Sequence, residues 1–368
     1  SFILKILKCN VTILTTVEQM TPFRTFARMD SLTQIVLGAA CGEIALGKKI
    51  GNKAQLFGAI GGTIPDLDVI IGNVFYANEI DAMAFHRGFM HSLVFAMIAS
   101  LILGFLFFEM YNSGKRRDTT NFKDWILLFL LSLGTHPILD SFTPYGTQLF
   151  LPFTDYRVAI NNISVADPLY TLPFLICLLV SLFIKREKIK RRKWVLAGIY
   201  ISSFYMLFTI GNKIYIDSVF KKSFEIASIK YNRFSAQPTI LNNALWYAVA
   251  ERNKDYVVTF YSVFDTKKSA TKFTYIPKNH SLVDIEHPDI ETLRWFSKDY
   301  FSLSYIDSTK QILYKDLRYP LLNEDDENSS LFSFQLIKGN NRWNTKQNFD
   351  RNISKNDFQK FLNRILGN

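Results

Sequence analysis

Three short strings of this chain carry six side chains of the kinds that bind divalent metal ions. The strings are Gly62-Thr63-Ile64-Pro65-Asp66-Leu67-Asp68, His86-Arg87-Gly88-Phe89-Met90-His91-Ser92 and Thr135-His136-Pro137-Ile138-Leu139-Asp140. Imidazole nitrogens mixed with carboxylate oxygens suit zinc, manganese or iron. We therefore predict a site for one or two ions, with zinc as the first candidate. The predicted ligands are Asp66, Asp68, His86, His91, His136 and Asp140.

Spacing within the strings limits how these side chains can meet. His136 and Asp140 are four residues apart, so they share a face if their segment is helical. Pro137 between them removes one helical hydrogen bond, which is tolerated near a membrane boundary. Asp66 and Asp68 point the same way only if the segment after the preceding proline is extended.

His86 and His91 are five residues apart, which separates them by about 140° on a regular helix. One ion takes both only if Gly88 breaks the turn. Otherwise the site holds two ions, or one of these histidines orients a carboxylate or the substrate. Arg87 presents a planar guanidinium group that can clamp an anion such as phosphate, and one Asp or His of the set would serve as general base, with Asp68 among the candidate catalytic residues.

Hydrophobic segments must position these strings. Four apolar runs approach the length of roughly 20 residues that crosses a bilayer, which predicts transmembrane helices. They are Leu93 to Phe108, Trp125 to Leu139, Leu169 to Ile184 and Trp194 to Ile210. Two glycine-rich stretches, Ser31 to Leu46 and Leu56 to Val74, span with tilt or form shorter packed helices. The total is about six passes.

The net charge of +11 does not indicate nucleic-acid binding, because the basic residues sit in short loops beside the apolar runs. The loops near Lys49, Arg116 and Arg186 should lie on the cytoplasmic side. Strict alternation then places all six predicted ligands at the outward face. Ionisable groups inside a membrane are costly unless they are paired or metal-bound, which favours one shared site.

The pattern changes after the last apolar run to charged residues that alternate with aromatic ones, which is typical of strands. We predict a polytopic α-helical membrane domain followed by a soluble α+β domain. The predicted divisions are an upstream extension at 1–28, with a translation start at Met29, a membrane domain at 29–212 and an extracytoplasmic domain at 213–368. Helices are expected near Ile214 to Ser228 and near Lys355 to Ile365.

Gln34 lies near the outer end of the first helix. With Ser31 it fits a capping box, Ser-x-x-Gln, which is a structural role. Its position near the same cavity also makes Gln34 a candidate catalytic residue beside Arg87 and Asp68.

These strings, together with Met29-Asp30-Ser31-Leu32-Thr33-Gln34 and Thr143-Pro144-Tyr145-Gly146-Thr147-Gln148, resemble the bacterial inner-membrane metal-dependent hydrolases of the YdjM type. The resemblance covers Met29 to about Ile210, and the Leu317-Arg318 segment is similar to members with a C-terminal extension. Many relatives carry a histidine at the position of Gln34. The resemblance implies a multi-pass protein of the bacterial cytoplasmic membrane and a hydrolytic activity. A fainter similarity, to zinc-dependent phospholipase C, rests on Asp66, His86 and His136-x-x-x-Asp140.

The leading hypothesis is a membrane-embedded metal-dependent hydrolase that cleaves an ester or phosphoester of a lipid or lipid-linked envelope molecule. The main alternative is a non-catalytic membrane anchor that is stabilised by its metal and whose outer domain binds envelope partners. A transporter is a third hypothesis, since carboxylates and histidines can relay ions. A closed, fully protein-ligated metal would favour the anchor, and an open position would favour the enzyme.

Overall fold

The computed structural model describes residues 22–306, 311–321, 324, 329–347 and 355–367. Helices dominate the first part of this chain and antiparallel strands the second, as predicted. Positions 1–21 of the predicted upstream extension lie outside the described residues. The helices are α1 (Pro22–Ile50), α2 (Asn52–Thr63), α3 (Asp68–Phe75), α4 (Glu79–Phe85), α5 (Leu93–Tyr111), α6 (Phe122–Asp140), α7 (Pro168–Leu182), α8 (Ile189–Ile226), α9 (Pro288–Ser297) and α10 (Lys355–Ile365).

Three of the described helices, α5, α6 and α8, are long and apolar enough to cross a membrane. The segments Asn52–Thr63 and Pro65–Phe75 form a fourth candidate span that is bent by 43°. α7 is apolar but shorter, at 15 residues. The described residues therefore contain three or four candidate spans, and the count of six passes stays a prediction.

α1 and α2 pack against each other through glycine. A Cβ atom at Gly38 would lie 2.4 Å from the Gly58 carbonyl oxygen, and one at Gly62 would lie 2.5 Å from the Gln34 carbonyl oxygen. Both separations are shorter than real Cβ contacts, so only glycine permits this approach. The close packing predicted from the glycines before Asp66 is confirmed, and it brings Gln34 beside the end of α2.

Three basic loops meet at one end of the helical region. The Lys49 ammonium group lies 2.5 Å from the Asp124 carboxylate, and Arg186 donates a hydrogen bond of 2.6 Å to the Lys49 carbonyl oxygen. Arg116 lies 4.8 Å from the ring centre of Tyr111 at the end of α5. α6 begins at this end and finishes at Asp140, so the predicted ligands lie at the opposite end.

α8 joins the two parts of the chain. Its 38 residues would extend about 57 Å, nearly twice the thickness of a bilayer core. Val195 packs among the membrane helices, whereas Phe220 and Phe224 pack against the first β-sheet. The helix predicted near Ile214 is thus the continuation of the last apolar run, and the predicted division at 212/213 falls inside α8.

Two four-stranded antiparallel sheets follow, each with its strands in chain order. Pairing is regular, with Trp246 opposite Tyr261 between the second and third strands. The first sheet comprises β1 (Arg233–Pro238), β2 (Leu245–Glu251), β3 (Asp255–Ser262) and β4 (Thr274–Pro277), and the second comprises β5 (Phe301–Ile306), β6 (Gln311–Asp316), β7 (Ser333–Lys338) and β8 (Trp343–Gln347). The predicted helix near Lys355 is α10.

The second sheet and α9 pack on α4, close to the predicted ligands. Ile80 of α4 is fully buried in a core that includes Trp343 of β8. Asn78 donates a hydrogen bond of 2.8 Å to the Trp343 carbonyl oxygen, and Arg342 lies 2.9 Å from the Asp81 carboxylate. The sheet region therefore covers the end of the helical region where the three strings meet.

Candidate metal centre

A turn between α2 and α3 presents Asp66. Pro65–Leu67 form one turn of 3₁₀-helix, and Asp68 is the first residue of α3. The segment after Pro65 is not extended, which was the condition for both carboxylates to point the same way, because the proline begins a helical turn, as prolines commonly do at a first helical position. The two carboxylates consequently take different partners.

The chain breaks its helical course between His86 and His91. α4 ends at Phe85, and Arg87 adopts a left-handed backbone conformation with φ of 58°. A separate 3₁₀ turn at Phe89–His91 then places His91 at the entrance to α5. The helical course therefore breaks near Gly88, which removes the 140° separation that a regular helix would impose on the two histidines.

The end of α6 contributes His136 and Asp140 from one helical face, as the four-residue spacing predicts. Nδ1 of His136 lies 2.6 Å from the Gly62 carbonyl oxygen. A carbonyl oxygen can only accept, so Nδ1 carries the proton and Nε2 is left with a lone pair. Both side chains are almost fully buried.

Three donor atoms converge at this end of the bundle. Oδ1 of Asp66 lies 3.5 Å from Nε2 of His91 and 3.4 Å from Nε2 of His136, and the three atoms lie within 4.8 Å of one another. Two donors of a tetrahedral ion with bonds of about 2.1 Å lie about 3.4 Å apart, which matches these separations. Oδ2 of Asp140 lies 3.4 Å from His91 and 3.5 Å from His136 at the edge of this group.

The donor atoms fit a metal ion better than they fit one another. Nε2 of His91, Nε2 of His136 and Oδ2 of Asp140 are buried and make no hydrogen bond within the described residues. Buried polar atoms normally have a hydrogen-bond partner. Several buried nitrogen and oxygen atoms that lack one and face a common centre are expected where an ion binds. Asp66 keeps 26% of its side chain exposed, so the group is open on one side.

Asp68 and His86 lie behind this donor group. Nδ1 of His91 lies 3.0 Å from one oxygen of Asp68, and Nδ1 of His86 lies 2.9 Å from the other. The backbone N–H of Arg87 also donates to the Asp68 carboxylate, over 2.9 Å. A carboxylate that orients a ligating imidazole in this way is a common feature of metal sites. Burial holds the pKa of His86 below its ordinary value, against the opposing effect of Asp68.

Asp140 is held from two further sides. Gln34 donates a hydrogen bond of 2.7 Å to Oδ1 of Asp140, and Nε of Arg87 lies 3.2 Å from its Oδ2. Ser31 lies inside α1 rather than before it, so the expected capping box is wrong. The helix begins at Pro22, before that box, and Gln34 is turned into the site instead.

Two site residues lay outside the sequence-based prediction. Thr143 accepts a hydrogen bond of 3.0 Å from Arg87, and the Tyr145 ring stacks edge-on to His86 with ring centres 5.3 Å apart. Both belong to the Thr143–Gln148 string, which carried part of the family resemblance. Their side-chain types do not indicate metal binding. The family resemblance of that string was therefore the only sequence feature that could have placed them at the site.

Comparison with known proteins assigns this arrangement to a family. The sequence profile of the YdjM inner membrane protein family matches residues 29–214, which include α1 to α7 apart from the start of α1, and all six predicted ligands. The chain belongs to the YdjM family. It is therefore a membrane protein, in agreement with its apolar helices.

Two curated proteins are similar to this chain over part of their length. The uncharacterized protein YfhP of Bacillus subtilis (strain 168) is 30% identical over 150 residues, which are 38% of this chain and 42% of that protein. The inner membrane protein YbcI of Escherichia coli (strain K12) is 34% identical over 122 residues, 32% of this chain and 64% of YbcI. The chain thus covers less than two thirds of either relative. No solved structure matches it.

Proposed function

We propose that this YdjM-family chain is a membrane-embedded, metal-dependent hydrolase that cleaves an ester or phosphoester. The observation that carries the proposal is the convergence of Asp66, His91 and His136, two imidazoles and one carboxylate, on a buried centre that is open on one side. Two histidines and one carboxylate form a common protein ligand set of catalytic zinc, and they leave a position for water or substrate.

The residues present fit such an ion. Asp66, His91 and His136 would hold it, with Asp140 at the edge of the group. When bound, a divalent ion at this place supplies Lewis-acid chemistry that polarises the substrate oxygen and makes water more acidic. Manganese and iron also suit this donor set.

Asp68 and His86 provide a place for a proton beside the centre. Because Asp68 accepts from Nδ1 of His86, the neutral imidazole keeps a lone pair on Nε2, and a side chain in that state can act as a general base. Asp68 also orients His91, so its proposed role is to position both imidazoles. The side chain of His86 is 24% exposed, which leaves it accessible to substrate.

Arg87 supplies a fixed positive charge to the site. Its Nη1 donates to Thr143 and its Nε lies against Asp140, so its position is set before any substrate binds. A preorganised cation stabilises negative charge that develops on a scissile oxygen without the cost of reorientation. Gln34 holds Asp140 from the other side and completes the proposed set.

A lipid or lipid-linked substrate is supported by the surface beside Asp66. Ile70, Val74 and Phe75 of α3 are 62%, 74% and 77% exposed, which is unusual for large apolar side chains in water. They are expected to contact acyl chains. A substrate that lies in the same apolar layer reaches the open side of the centre through its headgroup.

The proposed orientation places the centre and the sheets outside the bacterial cytoplasmic membrane. Its support is the clustering of the loops around Lys49, Arg116 and Arg186 at the other end of the bundle, since basic loops stay on the cytoplasmic side. Six passes, with the first two short or tilted, are consistent with this orientation.

The competing proposal is a membrane anchor whose metal only joins helix ends. The near-complete burial of His91 and His136 favours it, because structural ions are enclosed by protein. It requires Asp140 to close the coordination sphere. The partial exposure of Asp66 and the pairing of Asp140 with Arg87 favour the enzyme.

The test compares metal content and hydrolysis in purified full-length protein. We expect wild-type protein to bind zinc and to hydrolyse at least one member of a panel of phospholipids and lipid-linked phosphoesters. His136→Ala should lose both properties, whereas His287→Asn, at the start of α9, should keep both. Hydrolysis by wild type that survives complete removal of metal would refute the mechanism, and tight metal binding without any hydrolysis would favour the anchor.

A further inference from the structure

Arginine and aromatic side chains alternate from the metal centre to the sheet region. Arg87 lies 4.9 Å from the ring centre of Tyr145, and Arg157 lies 5.0 Å from the same ring. Arg157 also lies 5.1 Å from the ring centre of Phe296, against which Arg318 lies at 4.9 Å. Three guanidinium groups are therefore gathered where the sheets meet the helical region.

These charges are not all compensated by carboxylates. Arg87 is paired with Asp140, and Arg318 lies 2.6 Å from Asp316. Arg157 is only 2% exposed, yet it has no carboxylate partner within the described residues, and its Nε and Nη1 make no hydrogen bond there. Its Nη2 donates to the carbonyl oxygens of Tyr145 and Gly146, so the charge is hydrogen-bonded but not neutralised, and an anion near Arg157 would stabilise the structure.

A cavity of about 170 Å³ lies at the far end of this series of arginines. Its walls include Asn161 from the helical region and Gln237, Lys298, Tyr300 and Arg318 from the sheet region. No acidic side chain is among the described residues that line it. The cavity thus combines two cationic side chains with amide and hydroxyl groups that can donate hydrogen bonds.

Lys298 is the second uncompensated cation. It follows α9 in a left-handed conformation with φ of 52°, and its ammonium group lies 5.6 Å from the ring centre of Tyr156 without a carboxylate partner within the described chain. Burial, together with the charges of Arg318 and Arg157, lowers the pKa of Lys298 to about 8. The lysine therefore stays mostly protonated at neutral pH in a place that disfavours its charge, and a bound anion would relieve this cost.

We propose that this cavity is a binding site for a tetrahedral oxyanion, a phosphate or sulfate group, held by Lys298 and Arg318 with the charge of Arg157 behind them. One water needs about 10–15 Å³ of such volume, so the cavity has room for a phosphate group and accompanying waters. Nε and Nη2 of Arg318 are bound to Asp316, so Arg318 would contact the anion through Nη1, and the ammonium group of Lys298 adds a mobile charge. The site is separate from the metal centre and does not depend on hydrolysis.

Isothermal titration of sulfate and of inorganic phosphate into full-length protein in dodecyl maltoside tests the proposal. The informative variants are Lys298→Gln and Arg157→Gln, because neither change leaves a carboxylate without its partner. The matched control is Lys254→Gln, at an exposed position in the β2–β3 turn. Thermal unfolding of each variant checks that the fold is retained.

We expect wild-type protein to bind both anions, Lys298→Gln to weaken binding about tenfold or more, and Lys254→Gln to leave it unchanged. Arg157→Gln should weaken binding in the same direction. The proposal is overturned if wild type binds neither anion at millimolar concentration, or if folded Lys298→Gln and Arg157→Gln bind as well as wild type.

The same titration in nanodiscs distinguishes the two sources of a phosphate group. If a lipid headgroup occupies the cavity, sulfate binding should be weaker in phosphatidylglycerol nanodiscs than in detergent, and Lys298→Gln should remove that difference. If a soluble phosphate group is the ligand, sulfate should bind equally in both. Either result requires the wild-type site to bind an anion in detergent.

Discussion

Nδ1 of His91 lies 3.0 Å from the Asp68 carboxylate, on the side of the ring opposite to the predicted ion. This contact places Nδ1 against a carboxylate and leaves Nε2 to face Asp66 and His136. Asp68 was predicted as a ligand from its position next to Asp66. The geometry instead favours an orienting role, and the two roles make different predictions.

Asp68→Asn should lower metal affinity by about 10–100-fold and reduce hydrolysis, while the protein still binds metal at higher concentration. Asp66→Asn should lose stable binding, because it removes a donor atom. Metal titration monitored by competition with a chromophoric chelator measures both. Equal losses in the two variants would place Asp68 among the ligands.

Gln34→Ala should weaken metal binding less than Asp140→Ala does. The substitution removes the 2.7 Å hydrogen bond to Asp140 but leaves the carboxylate in place, paired with Arg87. A loss of about tenfold is expected for an orienting residue. Gln55→Ala, also in a buried helix contact but at the basic end, is the control and should keep metal affinity.

Gly38→Ala should destabilise the helical region and lower metal content. The added Cβ would lie 2.4 Å from the Gly58 carbonyl oxygen, so α1 and α2 must separate, and overpacking of this kind costs about 1–3 kcal/mol or more. Gly134→Ala in α6 is the matched control, because nothing lies within 4 Å of a Cβ there. Thermal unfolding in detergent should separate the two variants, and equal melting temperatures would contradict the close packing.

Arg191→Met should destabilise the protein strongly. Arg191 and Glu43 form a buried ion pair in which Nη2 lies 2.5 Å from the carboxylate, and both side chains are at most 4% exposed. Removing one partner leaves a buried charge, which costs about 3–5 kcal/mol in comparable cases. Lys193→Met, on the exposed side of the same helix, should have little effect. Addition of Glu43→Gln to Arg191→Met should recover part of the lost stability in the same unfolding assay.

Sulfate binding should weaken as the pH rises from about 7 to about 10, because Lys298, with a pKa of about 8, loses its proton. The facing Arg157, with a pKa lowered to about 10 by burial, stays charged over most of this range, and Tyr300, raised to about 12, stays neutral. Tyr156 contributes only its ring, 5.6 Å from the ammonium group. Titration at several pH values measures the effect, which Lys298→Gln should abolish.

The lowered pKa of Lys298 affects the pH dependence of folding stability in the opposite direction to sulfate binding. The unfolded chain binds the proton with the ordinary lysine pKa of 10.5, so it holds more protons than the folded protein between about pH 8 and that value. This group's contribution therefore makes the anion-free protein more stable as the pH rises through that window. Comparing wild type with Lys298→Gln in unfolding experiments isolates the contribution.

Part of the candidate site was predictable because it depends on the spacing of residues that are close in the chain. The pair His136 and Asp140 follows from the period of a helix, whereas the five-residue spacing of His86 and His91 left open whether the turn breaks at Gly88. The partner of Gln34 was not predictable. Ser31 and Gln34 match a local capping pattern, and only the extension of α1 back to Pro22 shows that this pattern is not used.

The amino-acid sequence by itself determined the apolar runs, the basic loops, the strands after the last run and the set of metal-binding side chains, since each depends on composition or on short periods along the chain. The tertiary structure alone decided which oxygen faces which imidazole, that Ile80 is buried under the second sheet, and that Lys298 and Arg318 line one cavity. Such contacts join residues far apart in the chain. They depend on how helices and sheets pack in three dimensions, which no local pattern encodes.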